Sequence, residues 1–385
     1  MRSKYFLTIL LSILLSVSII ILSPSATPDN DVYPETQYDC TSAILMEAET
    51  GTILYEQNSD KALPPASVTK IMTLLLTMEA IDNGTLRLED ILTCSSNASS
   101  MGGSQVYLEE GEQISVEELI KCVVICSAND AAVMLAEAIA GSEEAFVVKM
   151  NTRAKELNMV NTVFENTNGL DDTTENHVTS ARDIAIMSRE LIKHAKILEY
   201  SSIWMDSIRN GTFGLTNTNR LVRFYPGATG LKTGSTSKAK FCISATAKRG
   251  NMHLICVVMG AETRDQRNSI ATKLLDWGFA TYALYIDEEK PVDCVTVKGG
   301  TQNFIDTQTQ RFCCVINKGQ ENKITREISI NETLSAPIAN GDKVGTVKYT
   351  CEGQMLGESN ILTVGSVDKI KFLHVLSRIF SSFII

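Results

Sequence analysis

The stretch PPASVTK, Pro64–Lys70, stands directly ahead of the apolar run IMTLLLTM and decides how this chain is read. Two prolines fix the start of a helix, since proline's locked φ suits the first helical position. Ser67 and Lys70 then fall three residues apart, on one helix face. The helix N-terminus favours negative charge developing on a serine oxygen. The apolar run that follows marks the helix as buried, and a buried lysine loses its charge more easily. Locally two readings stand. Ser67 is a nucleophile with Lys70 as its base, or Ser67 is a helix cap and Lys70 extends its stem along the core to reach water. The S-x-x-K spacing decides nothing alone, because Ser235–Lys238 and Ser366–Lys369 repeat it.

Around this stretch the chain is ordinary in bulk. It has 385 residues, 44% hydrophobic, with a formal net charge of −10, enough for a real core and two domains. The acidic balance argues against a nucleic-acid partner, which needs clustered Lys and Arg. Arg2 and Lys4 precede the apolar run FLTILLSILLSVSIIIL and the small residues SPSA, so residues 1–26 read as a cleaved export signal. An uncleaved anchor is the rival reading, the run approaching spanning length. Ten cysteines would suggest disulfides in an exported protein, yet Cys122, Cys126, Cys242 and Cys256 lie in apolar runs. We read most of them as free thiols, which suggests a low-oxygen habitat. Neither cysteines nor the four histidines show metal-site spacing, and no metal is implied.

Residues 27–39 read as a tether and residues 40–288 as a mixed α+β domain with a mainly antiparallel sheet. AILMEAETGTILYEQ predicts a hairpin, and NDAAVMLAEAIAGS a helix stopped by Gly141. TSARDIAIMSREL predicts a helix capped by Thr179 or Ser180. FCISATAKRGNMHLICVVMGA predicts two strands joined at Lys248-Arg249-Gly250. Short β-type runs over 289–366 predict a small all-β domain. Residues 367–385 carry apolar positions at helical spacing with Lys369, Lys371 and Arg378 among the polar ones, which suits a helix lying on a membrane surface. A helix packed on the β domain is the alternative.

Two further motifs bear on Ser67. Ser127-Ala128-Asn129 gives S-x-N between an apolar run and a helix, and Lys232-Thr233-Gly234 is the chain's single K-T-G. S-x-x-K, S-x-N and K-T-G in this order are the set shared by penicillin-binding proteins and serine β-lactamases. Longer stretches extend the likeness, among them FENTNGLDD, HVTSARDIAIMSREL, GATGLKTGSTSKA and LLDWGF. Over roughly 41–287 the chain resembles the serine-type D-alanyl-D-alanine carboxypeptidases, the low-molecular-weight penicillin-binding proteins.

That resemblance implies a β-lactamase/transpeptidase-like catalytic domain. It implies removal of the terminal D-alanine from peptidoglycan stem peptides, through an acyl-enzyme on Ser67 and without a cofactor. Lys70 would take the Ser67 proton, and Ser127, assisted by Lys232, would pass it to the leaving amine. Asn129 would bind the substrate backbone, while Lys232, Thr233 and Arg267 would hold its terminal carboxylate. The backbone N–H groups of Ser67 and Ser235 would form the oxyanion hole, with Gly234 lying between Thr233 and Ser235. His177 reads as structural. β-Lactams would acylate Ser67, and the protein would work at the outer face of the cytoplasmic membrane. Ser235 and Lys240 depart from the family's commoner residues, an aromatic or histidine and a glycine, and Cys126 abuts Ser127. Two rivals remain. A serine β-lactamase would need a water-activating carboxylate, for which Glu165 with Asn168 is offered at an unusual spacing. A catalytically silent wall-binding protein of the same fold would be expected to have lost a motif residue.

Overall fold

The computed structural model describes residues 34, 37–172 and 174–372. The expected export segment and residues 373–385 of the expected C-terminal helix lie outside them. The predicted hairpin is present as β1 (Ser42–Glu47) and β2 (Ile53–Gln57), paired antiparallel. A short 3₁₀ turn, Ala66–Thr69, leads into α1 (Lys70–Asp82), so Ser67 lies in the turn and Lys70 opens the α-helix. Helix α1 is apolar on nearly every side, as a helix running through a core must be.

Next come α2 (Val116–Lys121), a wide turn at Cys122–Cys126, and α3 (Asn129–Ala140), which ends at Gly141. Helices α4 (Glu143–Glu156) and α5 (Ala181–Leu191) are each capped by a serine hydroxyl that accepts a backbone N–H, from Ser142 and from Ser180. Three long strands follow: β3 (Ala228–Thr236), β4 (Lys240–Arg249) and β5 (Met252–Ala261), then α6 (Arg264–Thr281). The β4–β5 turn sits at Gly250-Asn251 rather than over Lys248–Gly250, because Lys248 and Arg249 still pair with His253 and Met252.

These strands form one antiparallel sheet in the order β2-β1-β5-β4-β3, with β3 at an edge. Strand alternation splits the side chains between two apolar layers. Ile255, Val257 and Met259 of β5 face the layer shared with α1, α3 and α5. Leu254, Cys256 and Val258 face the layer under α6, with Leu274, Leu275 and Trp277. A sheet covered on both faces is rigid, and each fully buried Val, Leu or Ile contributes about 1.5–3 kcal/mol.

The C-terminal part is all β, as read from the sequence. Strand β6 (Tyr282–Asp287), which the sequence reading assigned to the catalytic domain, pairs with β9 (Phe312–Asn317). The other strands are β7 (Pro291–Lys298), β8 (Phe304–Thr309), β10 (Ile324–Ile330), β11 (Thr333–Ser335), β12 (Lys343–Cys351) and β13 (Gln354–Val364). They form a six-stranded sheet, β10-β12-β13-β8-β7-β11. Val367 and Lys369, expected in the amphipathic helix, instead make β-bridges to Ile338 and Gly300. Val367 is buried there among Val295, Val297 and Ile305, which explains why it does not start a helix.

Candidate active site

The turn that carries Ser67 is held by two contacts of Thr69. Thr69 Oγ1 donates to the carbonyl of Ala66 at 2.8 Å and lies 2.8 Å from His177 Nε2. His177 Nδ1 accepts the N–H of Glu165 at 3.0 Å, so the ring proton sits on Nε2 and points at Thr69. Burial pulls His177 down to about 4, which keeps this relay neutral. The histidine is structural, as the sequence suggested.

Lys70 is fully buried, and its Nζ has three neighbours: Ser67 Oγ at 2.9 Å, Asn129 Oδ1 at 2.6 Å and the carbonyl of Asn168 at 2.8 Å. Two of the three are obligate acceptors. A neutral amine has two N–H groups to give them, so its lone pair is left facing the Ser67 hydroxyl. Burial, and then the like charge of Lys232, push the Lys70 ammonium well below its ordinary 10.5. The cap-and-snorkel reading of this pair fails, since Lys70 never reaches water and Ser67 makes no cap bond.

Ser127 adopts a left-handed conformation, φ 68°, at the end of the Cys122–Cys126 turn. Its buried Oγ has no hydrogen-bond partner and lines the same cleft as Ser67. An orphaned buried hydroxyl costs about 1–3 kcal/mol, a cost that marks functional sites. Asn129 Oδ1 accepts from Lys70 and its Nδ2 donates to Gly102 O, so it anchors the lysine.

The K-T-G sequence lies inside edge strand β3, just before β4. Lys232 is buried and donates to the carbonyl of Thr233 at 2.9 Å, and burial pulls it down to about 7. Thr233 Oγ1 donates to Thr218 Oγ1. Gly234 packs flat on the serine turn, where a Cβ would stand 2.8 Å from the Ser67 nitrogen. Ser235 and Arg267 line the cleft, whose volume is about 710 Å³, and Arg267 is buried under β4 with its Nη1 on Cys242 O. Every site residue predicted from the sequence is thus within or directly against one cleft.

Residues 28–263 match the family model described as D-alanyl-D-alanine carboxypeptidase, peptidase S11, and residues 279–369 match the C-terminal domain of penicillin-binding protein 5. The chain belongs to the D-alanyl-D-alanine carboxypeptidase family. It is 42% identical over 379 residues to the D-alanyl-D-alanine carboxypeptidase DacF of Bacillus subtilis, covering 96% of this chain and 97% of that protein. Penicillin-binding protein 5 of Haemophilus influenzae shares its structure at a TM-score of 0.77 and 30% identity, over 88% of this chain and 100% of that one. Penicillin-binding protein D2 of Listeria monocytogenes, solved in an ampicillin-bound form, matches 64% of this chain and 100% of its own at a TM-score of 0.59 and 34% identity.

The rest of the carboxypeptidase's site was not legible in sequence. Asn168 contributes a main-chain carbonyl, which no side-chain motif announces. Thr218, whose N–H donates to Ile125 O, ties the S-x-N turn to the K-T-G strand. Asn219 holds β3 through Gly230 O. Glu165, the candidate water-activating group, accepts the N–H groups of Glu175 and Asn176. Among the described residues no Asp or Glu lines the cleft. All ten cysteines are free thiols. Burial pushes Cys126 up to about 11, so it stays protonated beside Ser127.

Proposed function

We propose that Ser67 is the nucleophile that removes the terminal D-alanine from a peptidoglycan stem peptide, with Lys70 as its base. The Lys70 coordination carries this reading: a dry amine with two fixed acceptors and a lone pair aimed at one hydroxyl. Ser67 Oγ bonds to the carbonyl carbon of the penultimate D-alanine as its proton passes to Lys70. Backbone N–H groups of Ser67 and Ser235 are the oxyanion donors, and the close packing of Gly234 on the turn keeps the two together. The proton then moves through Ser127 to the leaving nitrogen, the C–N bond breaks, and D-alanine departs. Ser127 is suited to relay because its hydroxyl is committed to no other partner. Water, deprotonated by Lys70, attacks the ester and restores Ser67. Lys232, Thr233 and Arg267 hold the terminal carboxylate, for which charged and hydroxyl donors are the matching chemistry.

A β-lactam carries a strained amide beside a carboxylate, and on this reading it acylates the same serine. Among the described residues the cleft has no carboxylate to activate water quickly, which supports a long-lived adduct over lactamase turnover. The substrate places the enzyme outside the cytoplasm, at the outer face of the cytoplasmic membrane. We assign the membrane contact to the apolar positions from Phe372 onward, after the β-bridges of Val367 and Lys369, with a chain lacking 373–385 released from membranes as the check. Mass spectrometry of D-alanine release from a pentapeptide tests the reaction. Wild type releases it and forms a penicillin adduct on the peptide containing Ser67, while Ser67→Ala and Lys70→Ala do neither. Release by Ser67→Ala would end the proposal.

A further inference from the structure

The cleft holds more positive charge than the reaction uses. Arg220, Arg264 and Arg267 all line it, and the charge of Arg267 reaches buried Lys232. The chain as a whole is acidic, with 45 Asp and Glu against 35 Lys and Arg. Of the other described arginines, Arg153, Arg182, Arg209, Arg249, Arg311 and Arg326 each pair with a carboxylate, whereas Arg87, Arg189 and Arg223 do not; Arg189 donates to the Ala48 and Glu49 carbonyls and Arg223 lies over the Trp204 ring. Among the described residues Arg220, Arg264 and Arg267 have no such pair. Their guanidinium groups also feel one another, since Arg264 and Arg220 both oppose the charge on Arg267, after burial.

Position sharpens the point. Arg264 opens the 18-residue helix α6 and Arg267 lies in its first turn. Cations at a helix N-terminus oppose the macrodipole and cost about 0.3–1 kcal/mol each. An acidic protein that places unpaired arginines at the positive end of the longest of its described helices is not gaining stability from them. The same cleft holds the buried Ser127 hydroxyl, which has no hydrogen-bond partner among the described residues. Arg267 is 3% exposed, whereas Arg220 and Arg264 are exposed at the cleft surface.

We propose that Arg220 and Arg264 are capture residues, which draw the free C-terminal carboxylate of the peptide into the cleft and deliver it to Lys232, Thr233 and Arg267. This rests on the carboxypeptidase reading above and adds a specificity determinant to it. Exposed charges in a cleft of one sign raise the association rate of an opposite charge, by ten- to a thousand-fold in favourable cases, and salt removes the effect. The two arginines therefore act on capture and not on the chemical step. They select peptides with an uncapped terminus and set how steeply the enzyme responds to ionic strength.

Kinetics of the full-length enzyme on a pentapeptide with a free C-terminus, at about 10 mM and about 1 M salt, test this. Screening lengths at those two salts are roughly 30 and 3 Å. Arg220→Ala/Arg264→Ala should lower kcat/KM about tenfold at low salt, leave kcat within about twofold and nearly match wild type at high salt. Arg220→Lys/Arg264→Lys should recover most of the loss, because charge suffices for capture. The rate of acylation by a carboxylate-bearing penicillin should follow the same pattern, with unchanged thermal stability showing intact folding. Equal loss of kcat and kcat/KM, or a salt dependence identical to wild type, overturns the capture role. A wild type that releases no D-alanine overturns the carboxypeptidase reading instead.

Discussion

Gly234→Ala isolates the contact that joins the two halves of the site. A Cβ at this position would stand 2.8 Å from the Ser67 nitrogen and 2.9 Å from both the Pro65 oxygen and the Val68 nitrogen, where ordinary contact begins at 3.4 Å. All three atoms are backbone, so no side chain can swing aside. Strand β3 and the serine turn must part by about 0.6 Å, the difference between 3.4 and 2.8 Å. Both partners are braced. The turn is fixed by Thr69 and His177, and β3 pairs with β4 from Ala228 to Thr236. Overpacking of this kind costs about 1–3 kcal/mol in stability. The larger effect falls on catalysis, because the separation opens the oxyanion hole and moves Lys232 from Ser67. A displacement of 1 Å costs on the order of 100-fold, so a loss of roughly ten- to a hundred-fold is expected. The assay is the second-order rate of acylation by a fluorescent penicillin, alongside kcat/KM for D-alanine release. Gly214→Ala is the control, since no heavy atom lies within 4 Å of its added Cβ. Acylation of Gly234→Ala within twofold of wild type would show that the close packing of β3 on the serine turn does not hold the reacting groups in register.

Three other outcomes follow from the same geometry. For kcat/KM, the alkaline limb should fall near pH 7, where buried Lys232 gives up the charge that holds the carboxylate, and the acid limb should mark protonation of Lys70. Bound carboxylate favours the charged lysine, so the alkaline limb of kcat should lie at higher pH than that of kcat/KM; coincident limbs would remove Lys232 from carboxylate binding. Asn129→Asp sets a negative charge where Oδ1 now lies 2.6 Å from Lys70 Nζ, which raises the lysine's pKa and moves the acid limb of kcat/KM upward; an unmoved limb would mean Lys70 is not the titrating base. Neutral His177, pulled from 6.5 to about 4, stabilises the fold fully above pH 6.5 and loses that contribution as pH falls through 4, because the unfolded chain binds the proton more readily in that window. His253 is pulled to about 4 in the same way, so thermal melts between pH 7 and pH 4 should show a loss that is smaller in His177→Gln than in wild type by on the order of 3 kcal/mol, the remainder belonging to His253.

How much of this was readable in the sequence depends on the range of each interaction. Ser67 and Lys70 are three residues apart, so a helix start and an apolar run sufficed to place them on one face. The two strands β4 and β5 and their antiparallel pairing were equally legible, since the turn residues around Gly250 separate two short apolar runs. What escaped were contacts across long separations: Lys70 with Asn129 and Asn168, Thr233 with Thr218, and Asn129 with Gly102. Two of these acceptors are main-chain carbonyls, which every residue type supplies. The bond between the Asn129 amide oxygen and the lysine was therefore not foreseen. The wide turn at Cys122–Cys126 was likewise invisible, because CVVIC satisfies a helical pattern up to the residue where the chain departs from it.

Lys240 shows that a departure from a family's usual residue can carry a physical cost. The resemblance marks it as standing where a glycine is common, and the backbone there has φ 56°, in the left-handed region that glycine enters without penalty. A lysine in that conformation costs roughly 1–2 kcal/mol. It pairs with Glu262, but an exposed pair contributes about 0–1 kcal/mol and does not cover the cost. The same imbalance recurs inside the cleft, at larger scale. Lys70 and Lys232 are both fully buried, close enough for the charge of one to lower the pKa of the other, and neither meets a carboxylate among its hydrogen-bond partners. Chemically, a lysine that must accept a proton and a lysine that must bind an anion are both ruined by a permanent carboxylate partner. The site therefore withholds that partner, and the stability comes from the two apolar layers around the sheet.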